Sequence, residues 1–313
     1  MIPCASVAIM SRIDVLGLGI IAVDDLFSVD AYPPPDTKTP IRRHERQCGG
    51  LTGTALVAAA RTGARAAYGG VIGDDELSEF VEREMARDGV DFSHAVRRTD
   101  ARPAHSFIVV DRRDHTRTIF FEMNGLTGAD SAKPGEEVVR ASRVLLVDHY
   151  GMEGVVRATR IARNAGIPVV ADLERRESPL FDEALALVDH LIVSHAFAST
   201  ITGQAHATDA ARTLWTPERQ AVVVTCGSDG AWYLGDGETT EPRHCPAFPV
   251  AVMDTTGCGD VFHGAYASTL ALGFALAERV RFASATAAIK ATQLGGQAGI
   301  PRKEQVYTFL EER

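Results

Sequence analysis

The segment Asp254-Thr255-Thr256-Gly257-Cys258-Gly259-Asp260 carries the densest chemistry in the chain. Its glycines let the backbone approach a ligand closely, and a helical stretch, Val261–Ala275, follows at once. Free N–H groups at a helix start, with the positive end of the helix dipole, suit the oxyanions of a phosphoryl group. Asp260 stands beside that turn, where a carboxylate can take a hydroxyl proton as the oxygen attacks phosphorus. Asp is also a preferred N-cap of an ordinary helix, so the glycines alone leave both roles open.

Two other glycine turns could serve the same chemistry. In Val224–Leu234, Gly227 and Gly230 follow an apolar strand at its carboxyl end, where open α/β sheets bind ligands. A tight hairpin explains the same glycines, and both roles can hold together. In Gln47–Ala60, the pair Gly49-Gly50 precedes a helix starting near Thr52; it marks a hinge, a close approach to substrate, or only tight loop-to-helix packing. A fourth motif, Gly17-Leu18-Gly19-Ile20-Ile21-Ala22 with Asp36 downstream, imitates a dinucleotide-binding fingerprint. That fingerprint needs a helix at the turn, and the β-branched, proline-terminated run that follows forms none. No G-x-x-x-x-G-K-[ST] occurs either.

These turns need a scaffold, and the hydrophobic pattern supplies one. Apolar runs at Asp14–Ile21, Ala66–Ile72, Arg143–Asp148, Ile167–Ala171, His190–Ser194, Ala221–Thr225 and Ala231–Leu234 read as strands, several too apolar to be half-exposed. Helical stretches alternate with them; Leu77, Phe80, Val81 and Met85 share one face, and Gly89 stops that helix. The expected fold is therefore α/β, a doubly wound, mostly parallel sheet flanked by helices. Two regions break the alternation: Thr37–Gln47 after Pro33-Pro34-Pro35, and a hairpin of Ser106–Arg112 and Thr118–Glu122 turning at Arg113-Asp114-His115. They predict a small β-sheet lid from segments about 33–48 and 100–125, or an antiparallel edge on the main sheet. Residues 13–313 form the expected domain, and 1–12 a disordered extension with no signal-peptide character.

Composition narrows the function. A formal net charge of −9 argues against a nucleic-acid or anionic-membrane partner. Five cysteines, irregularly spaced and without C-x-x-C, suit a reducing cytoplasm rather than a disulfide framework or zinc site. No apolar run reaches the roughly 20 residues of a membrane helix. Cys258, at a helix start, could have a lowered pKa and oxidise readily, which predicts mild redox sensitivity; a small residue tolerated in the turn explains it equally simply.

Taken in order from about Asp14 to the end, these segments resemble the ribokinase-like (PfkB-type) carbohydrate kinases. Within them the tail DTTGCGDVFHGAYA…RFAS…GGQAGIP is most similar to sulfofructose kinase, with ketohexokinase a further relative. The resemblance implies Asp260 as general base, with the backbone of Gly257, Cys258 and Gly259 as anion hole. It implies an ATP site at Thr225, Gly227 and Gly230 with Ser194 and Ser284 nearby. It implies a sugar site of Asp24, Asp36, Gly49, Gly50 and Thr54, and a monovalent cation such as K+ at Asp254, Thr256, Lys290, Gln293 and Gly295, several through carbonyls. A homodimer through the lid is expected by the same analogy.

The chain also departs from that pattern. Thr54 stands where ribokinase-type members carry asparagine, which argues against ribose. The magnesium-organising N-x-x-E reads Ser194-His195-Ala196-Phe197, so Mg2+ must be held mainly by ATP and water, with Asp172 or Glu174 as helpers or as surface salt-bridge partners. Tyr150 replaces a sugar-binding glutamate or a sulfonate-binding arginine; a phenol cannot neutralise a sulfonate, unless Lys38, Arg42 or Arg43 substitutes. Tyr150 would then stack on or hydrogen-bond to a neutral sugar, or simply pack. The expected activity is ATP-dependent phosphorylation of a small sugar, a ketohexose such as fructose. The alternatives are a sulfofructose or sugar-phosphate kinase, a nucleoside kinase with a base pocket from Phe27, Phe107, Ile108, Phe120 and Phe121, and a non-catalytic sensor.

Overall fold

The computed structural model describes residues 13–114, 116–235 and 241–313; the expected extension at 1–12 and the hairpin residue His115 lie outside them. The central sheet takes β1 (Ile13–Leu18), β4 (Ala66–Tyr68), β9 (Ser142–Asp148), β10 (Val169–Asp172), β11 (His190–Ser194), β12 (Ala221–Thr225), β13 (Ala231–Gly235) and β14 (Arg243–Cys245). Its order is β14-β13-β12-β11-β10-β9-β1-β4. Six strands run parallel, and β13 and β14 add antiparallel at one edge. A second sheet, in the order β3-β2-β7-β8, takes β2 (Ala22–Val29), β3 (Arg43–Gly49), β7 (Ala104–Asp111) and β8 (Thr116–Glu122). The short strands β5 (Val71–Ile72) and β6 (Val96–Arg97) pair separately.

The parallel strands are buried on both faces, and period-2 alternation divides their side chains between two cores. Val15, Val144, Leu146, Ile192 and Val223 enter one; Leu16, Leu145, Val147, Leu191 and Val222 enter the other. The first core is covered by α1 (Leu51–Arg61), α2 (Glu76–Arg87), α8 (Cys258–Ala271), α9 (Leu276–Lys290) and α10 (Lys303–Glu311). The second is covered by α3 (Glu136–Arg140), α4 (Met152–Asn164), α5 (Phe181–Leu187), α6 (His195–Thr202) and α7 (Ala207–Leu214).

Two helices set the site. Both α1 and α8 are alanine-rich and buried almost all round, so they can pack backbone to backbone. At Gly264 a Cβ would collide with the Ala55 carbonyl, so only glycine permits this approach. The pairing brings the start of α1 beside the start of α8. Expected boundaries shift accordingly: α8 begins at Cys258 and takes Asp260 into its first turn.

The first strand differs from expectation in an informative way. The run Asp14–Ile21 breaks after Leu18, and the chain turns to enter β2 of the second sheet. Asp148 holds that turn: its Oδ2 accepts from Ile20 N (2.7 Å) and Thr52 Oγ1 (2.8 Å), and its Oδ1 accepts from Tyr150 N (2.8 Å). The second sheet is thus centred on residues 22–29, and most of the 33–42 part of the expected segment is loop.

Candidate active site

The site assembles from three chain ends at the carboxyl edge of the central sheet. Gly257 takes a left-handed conformation (φ 73°) as N-cap of α8, and Cys258 N–H donates to Thr255 O (3.2 Å). The next amides, Gly259 and Asp260, lie in the first helical turn, where the helix itself supplies no acceptor. Thr54, in the first turn of α1, faces this cap. A Cβ on Gly257 would lie 3.1 Å from Gly296 O and 3.5 Å from Thr54 Cγ2. Gly50 (φ 85°) caps α1, and a Cβ there would meet Ile20 O at 2.7 Å. Both turns therefore require glycine for backbone reasons.

Asp24 joins the cluster from β2. It lies against Gly49, where a Cβ would collide with its carboxylate. Burial raises its pKa; a Ser106 hydrogen bond and the nearby His105 oppose that, and Asp25 adds to it. The adjacent Asp25 points to the opposite face and is a structural anchor. Its oxygens accept from Arg46 (2.9 and 2.9 Å), His105 (2.8 Å) and His44 (3.1 Å). Burial works against its charge, but those partners hold it well below the usual carboxylate range.

Asp260 is half-buried, and its pKa is pushed well up, first by burial and then by Asp172, Glu174, Asp148 and Asp24. Asp148 is fully buried and is raised to about 6 by that burial, against its three hydrogen bonds. Asp172 is buried rather than a surface salt-bridge partner, and lies 3.2 Å from His263 Nδ1. Five carboxylates, those of Asp24, Asp148, Asp172, Glu174 and Asp260, thus lie near one another. The N-cap of α8 is Gly257, so Asp260 is an acidic residue of the first turn and not the helix cap.

A cavity of about 510 Å³ opens beside the α8 turn. Thr225, Gly227, Gly230 and Ser284 line it together with Cys258 and Gly259. Phe248, Val250 and Val252 add an apolar wall that the sequence reading missed. Gly227 (φ 57°) and Gly230 (φ 92°) bound a single 3-10 turn between β12 and β13, so the hairpin and the ligand cradle coexist. Ser194 ends the neighbouring strand in register with Thr225, and its Oγ caps α6 by accepting from Phe197 N (3.2 Å).

A larger cleft of about 810 Å³ separates the second sheet from Val252–Asp254 and Leu294. Leu26, Ser28, Arg43, Glu45, Val110 and Arg117 line it, and strand register puts them on the Asp24 face. Phe27, Phe107 and Phe120 fall on the other face by the same register. The five-residue base pocket expected for a nucleoside is therefore divided between two faces.

Other expected residues take different places. Asp36 (φ 61°) and Lys38 are exposed in the 33–42 loop, and no hydrogen bond joins either to the cluster. Tyr150 is half-buried and packs against Ile20, Ala22 and Ala104, at the corner that Asp148 organises. Thr54 is buried, and its hydroxyl accepts from Gln297 Nε2 (3.2 Å). Gln297, Gln47 and Asp148 were not singled out in the sequence; Asp148 had a signal, its place at the carboxyl end of a parallel strand. Gln47 lies against Gly295 on the Asp24 face, its Oε1 buried without a hydrogen-bond partner. Cys258 contradicts the redox expectation. Burial pushes its thiol pKa up, with Asp254 and Asp260 adding to that and Lys290 opposing it.

The expected cation site is filled by a side chain. Lys290 Nζ donates to the carbonyl oxygens of Asp254 (3.0 Å) and Thr256. The Lys290 carbonyl itself accepts from Gln293 N (3.1 Å). Gly295 donates its N–H to Asp254 Oδ2 (2.9 Å). These residues do not fit a monovalent ion, since the ammonium already sits on the two carbonyls that would bind it.

Comparison with known proteins agrees with this geometry. Residues 10–303 match the model of the pfkB family carbohydrate kinases. The chain is 28% identical over 306 residues to a ribokinase of Haemophilus influenzae, covering 94% of this chain and 97% of the relative. It is 30% identical over 292 residues to fructokinase-1 of Zea mays, covering 84% and 88%. Its fold matches that of an Arabidopsis thaliana ribokinase complexed with ribose and ATP, at a TM-score of 0.85 and 20% identity over 96% and 99% of the two chains. Sequence and site together define a phosphotransferase acting on a sugar hydroxyl. The chain belongs to the pfkB family of carbohydrate kinases.

Proposed function

We propose that this kinase transfers the γ-phosphoryl group of ATP to a hydroxyl of a neutral ketohexose such as fructose, with Asp260 as general base. The observation that carries the reading is the shared wall of two sites: Cys258 and Gly259 line the 510 Å³ cavity, while Thr54 packs against the adjoining Gly257. A nucleotide in that cavity would present its terminal phosphate to the helix start. A sugar held by Asp24 and bordered by Gly49, Gly50 and Thr54 would approach the same turn from the α1 side. Asp260 takes the hydroxyl proton, and the amides of the first α8 turn stabilise charge on the transferring group.

Among the described residues, no group of three or more His, Cys, Asp or Glu could hold a metal ion. In this reading Mg2+ is carried by the nucleotide and water, with Asp172 or Glu174 contacting it through water. Bound there, Mg2+ would neutralise phosphate charge. The maize fructokinase likeness and the lack of an arginine at Tyr150 support a neutral ketose over a sulfonated one. The sheet formed by β2, β3, β7 and β8 acts in this reading as a lid, and its edge strand β8, with exposed Ile119, Phe120 and Phe121 on its two faces, as the element a second copy would cover. Sedimentation of the wild type tests the dimer. ATP consumption measured over fructose, ribose, other sugars, sugar phosphates, sulfofructose and nucleosides tests the substrate; a strong preference for any class but neutral ketoses overturns it.

A further inference from the structure

The turn that carries the α8 cap has an electrostatic problem. The carbonyl oxygens of Asp254 and Thr256 converge beneath it. Two carbonyl dipoles pointing at one spot repel each other unless a cation lies between them. Lys290 supplies that cation from the last turn of α9. Its side chain is fully buried, and its Nζ donates to both oxygens. A buried ammonium is costly unless paired and hydrogen-bonded. Here Asp254 provides the charge partner, itself fixed by Thr256 N (2.8 Å), Thr256 Oγ1 (2.7 Å) and Gly295 N (2.9 Å). Arg117 of the second sheet approaches the same carboxylate at 3.6 Å.

We propose that the Lys290 ammonium is a built-in substitute for a monovalent cation, positioning the 254–257 turn so that this kinase works without K+. An ammonium carries the same charge as K+ and binds carbonyl oxygens by donated hydrogen bonds instead of coordination. Being covalently attached, it never dissociates, so the turn stays ordered at any salt composition. Lys290 is a positioning residue: it touches the turn, not the substrate. The activity arm of its test rests on the kinase reading above; the binding arm does not.

The decisive experiment compares wild type with Lys290→Ala in a buffer whose only monovalent cation is a bulky organic amine, with MgCl2 present for the turnover arm, and then with added KCl. Thermal denaturation is read first. The wild-type Tm is expected to be the same with KCl as with an equal concentration of the organic chloride. The variant's Tm is lower and rises specifically with KCl or NH4Cl, as the ion enters the vacated site. Turnover is read next, on whichever substrate the screen identifies. Wild-type kcat is independent of K+. The variant loses on the order of 10²-fold in kcat, as for loss of an ordered oxyanion site, and K+ restores much of it with little change in sugar KM. A wild type that K+ activates several-fold or stabilises specifically overturns the proposal. So does a folded variant that is fully active without any small monovalent cation. Should Lys290→Ala not fold, the wild-type arms decide alone. Should no substrate be phosphorylated, the kinase reading fails and the Tm comparison still stands.

Discussion

His263 and Asp172 lie 3.2 Å apart, Nδ1 to Oδ2, beneath the first turn of α8. The same Nδ1 is 2.8 Å from Gly259 O, and Nε2 is 3.0 Å from Ile192 O. Burial lowers the pKa of this ring, against the two carbonyls, and raises that of Asp172 well above the carboxylate range. The pair is therefore held as neutral imidazole and protonated acid, in which the acid can itself donate to a ring nitrogen. Replacing His263 by Phe then removes a hydrogen-bonding ring from beneath the α8 turn without removing a charge. The acidic limb of the kcat/KM profile should keep its position in His263→Phe while Tm falls. A limb moved to higher pH would show that the ring carries a positive charge next to Asp260.

Asp260 should show a trade between activity and stability. Its folded pKa is raised, so between the ordinary carboxylate value and that raised value the folded state binds the extra proton. Stability contributed by this group is therefore lost as pH rises through the window, and at neutral pH the charge is a cost. Asp260→Asn removes the cost and the base together. Turnover should fall by about 10²–10⁴-fold, sugar binding should persist, and Tm should rise by about 2–4 °C, the shift that about 1 kcal/mol gives a large domain. Calorimetry and single-turnover assays check both halves.

Much of this was legible in the chain. His190–Ser194 and Ala221–Thr225 read as strands within their true bounds, because parallel strands buried on both faces leave continuous apolar runs. The α8 turn and the Gly227–Gly230 turn were found because glycine is demanded where backbone must bend or approach closely. The second sheet was only half legible. Its inner strand, Ala22–Val29, was excluded as a helix but not recognised as a strand, since Asp24, Asp25 and Ser28 break the apolar run. Those polar residues are needed: Asp25 ties three strands together, and Asp24 faces the cleft. The ammonium of Lys290 was invisible, because residue type does not say whether a lysine contributes its carbonyl or its side chain.

Gly49 offers a way to separate the two substrates. Its missing Cβ leaves room for the Asp24 carboxylate, and Gly49→Ala would push that carboxylate out of place. A displacement of this size near a substrate costs on the order of 10²-fold in catalytic efficiency. The loss should fall on kcat/KM for the sugar. The KM for ATP should hardly change, because the cavity bounded by Thr225, Gly230 and Ser284 is built from other segments. Equal losses for both substrates would mean that Asp24 does not face the sugar.

Cys258 lies at the helix start beside the proposed phosphoryl site, yet it should be chemically quiet. A helix dipole and the Lys290 charge would lower its pKa, but burial outweighs them, aided by Asp254 and Asp260. The Sγ is also held 3.6 Å from Ala287 O. Nucleophilic attack needs the thiolate, and both the raised pKa and the packing suppress it. Cys258→Ala should retain activity close to wild type, since only its backbone serves the turn. Peroxide should inactivate wild type and Cys258→Ala at the same rate, and a mass-resolved thiol-labelling time course should find Cys258 slow. Protection conferred by the alanine substitution would show instead that the turn opens in solution and exposes the sulfur.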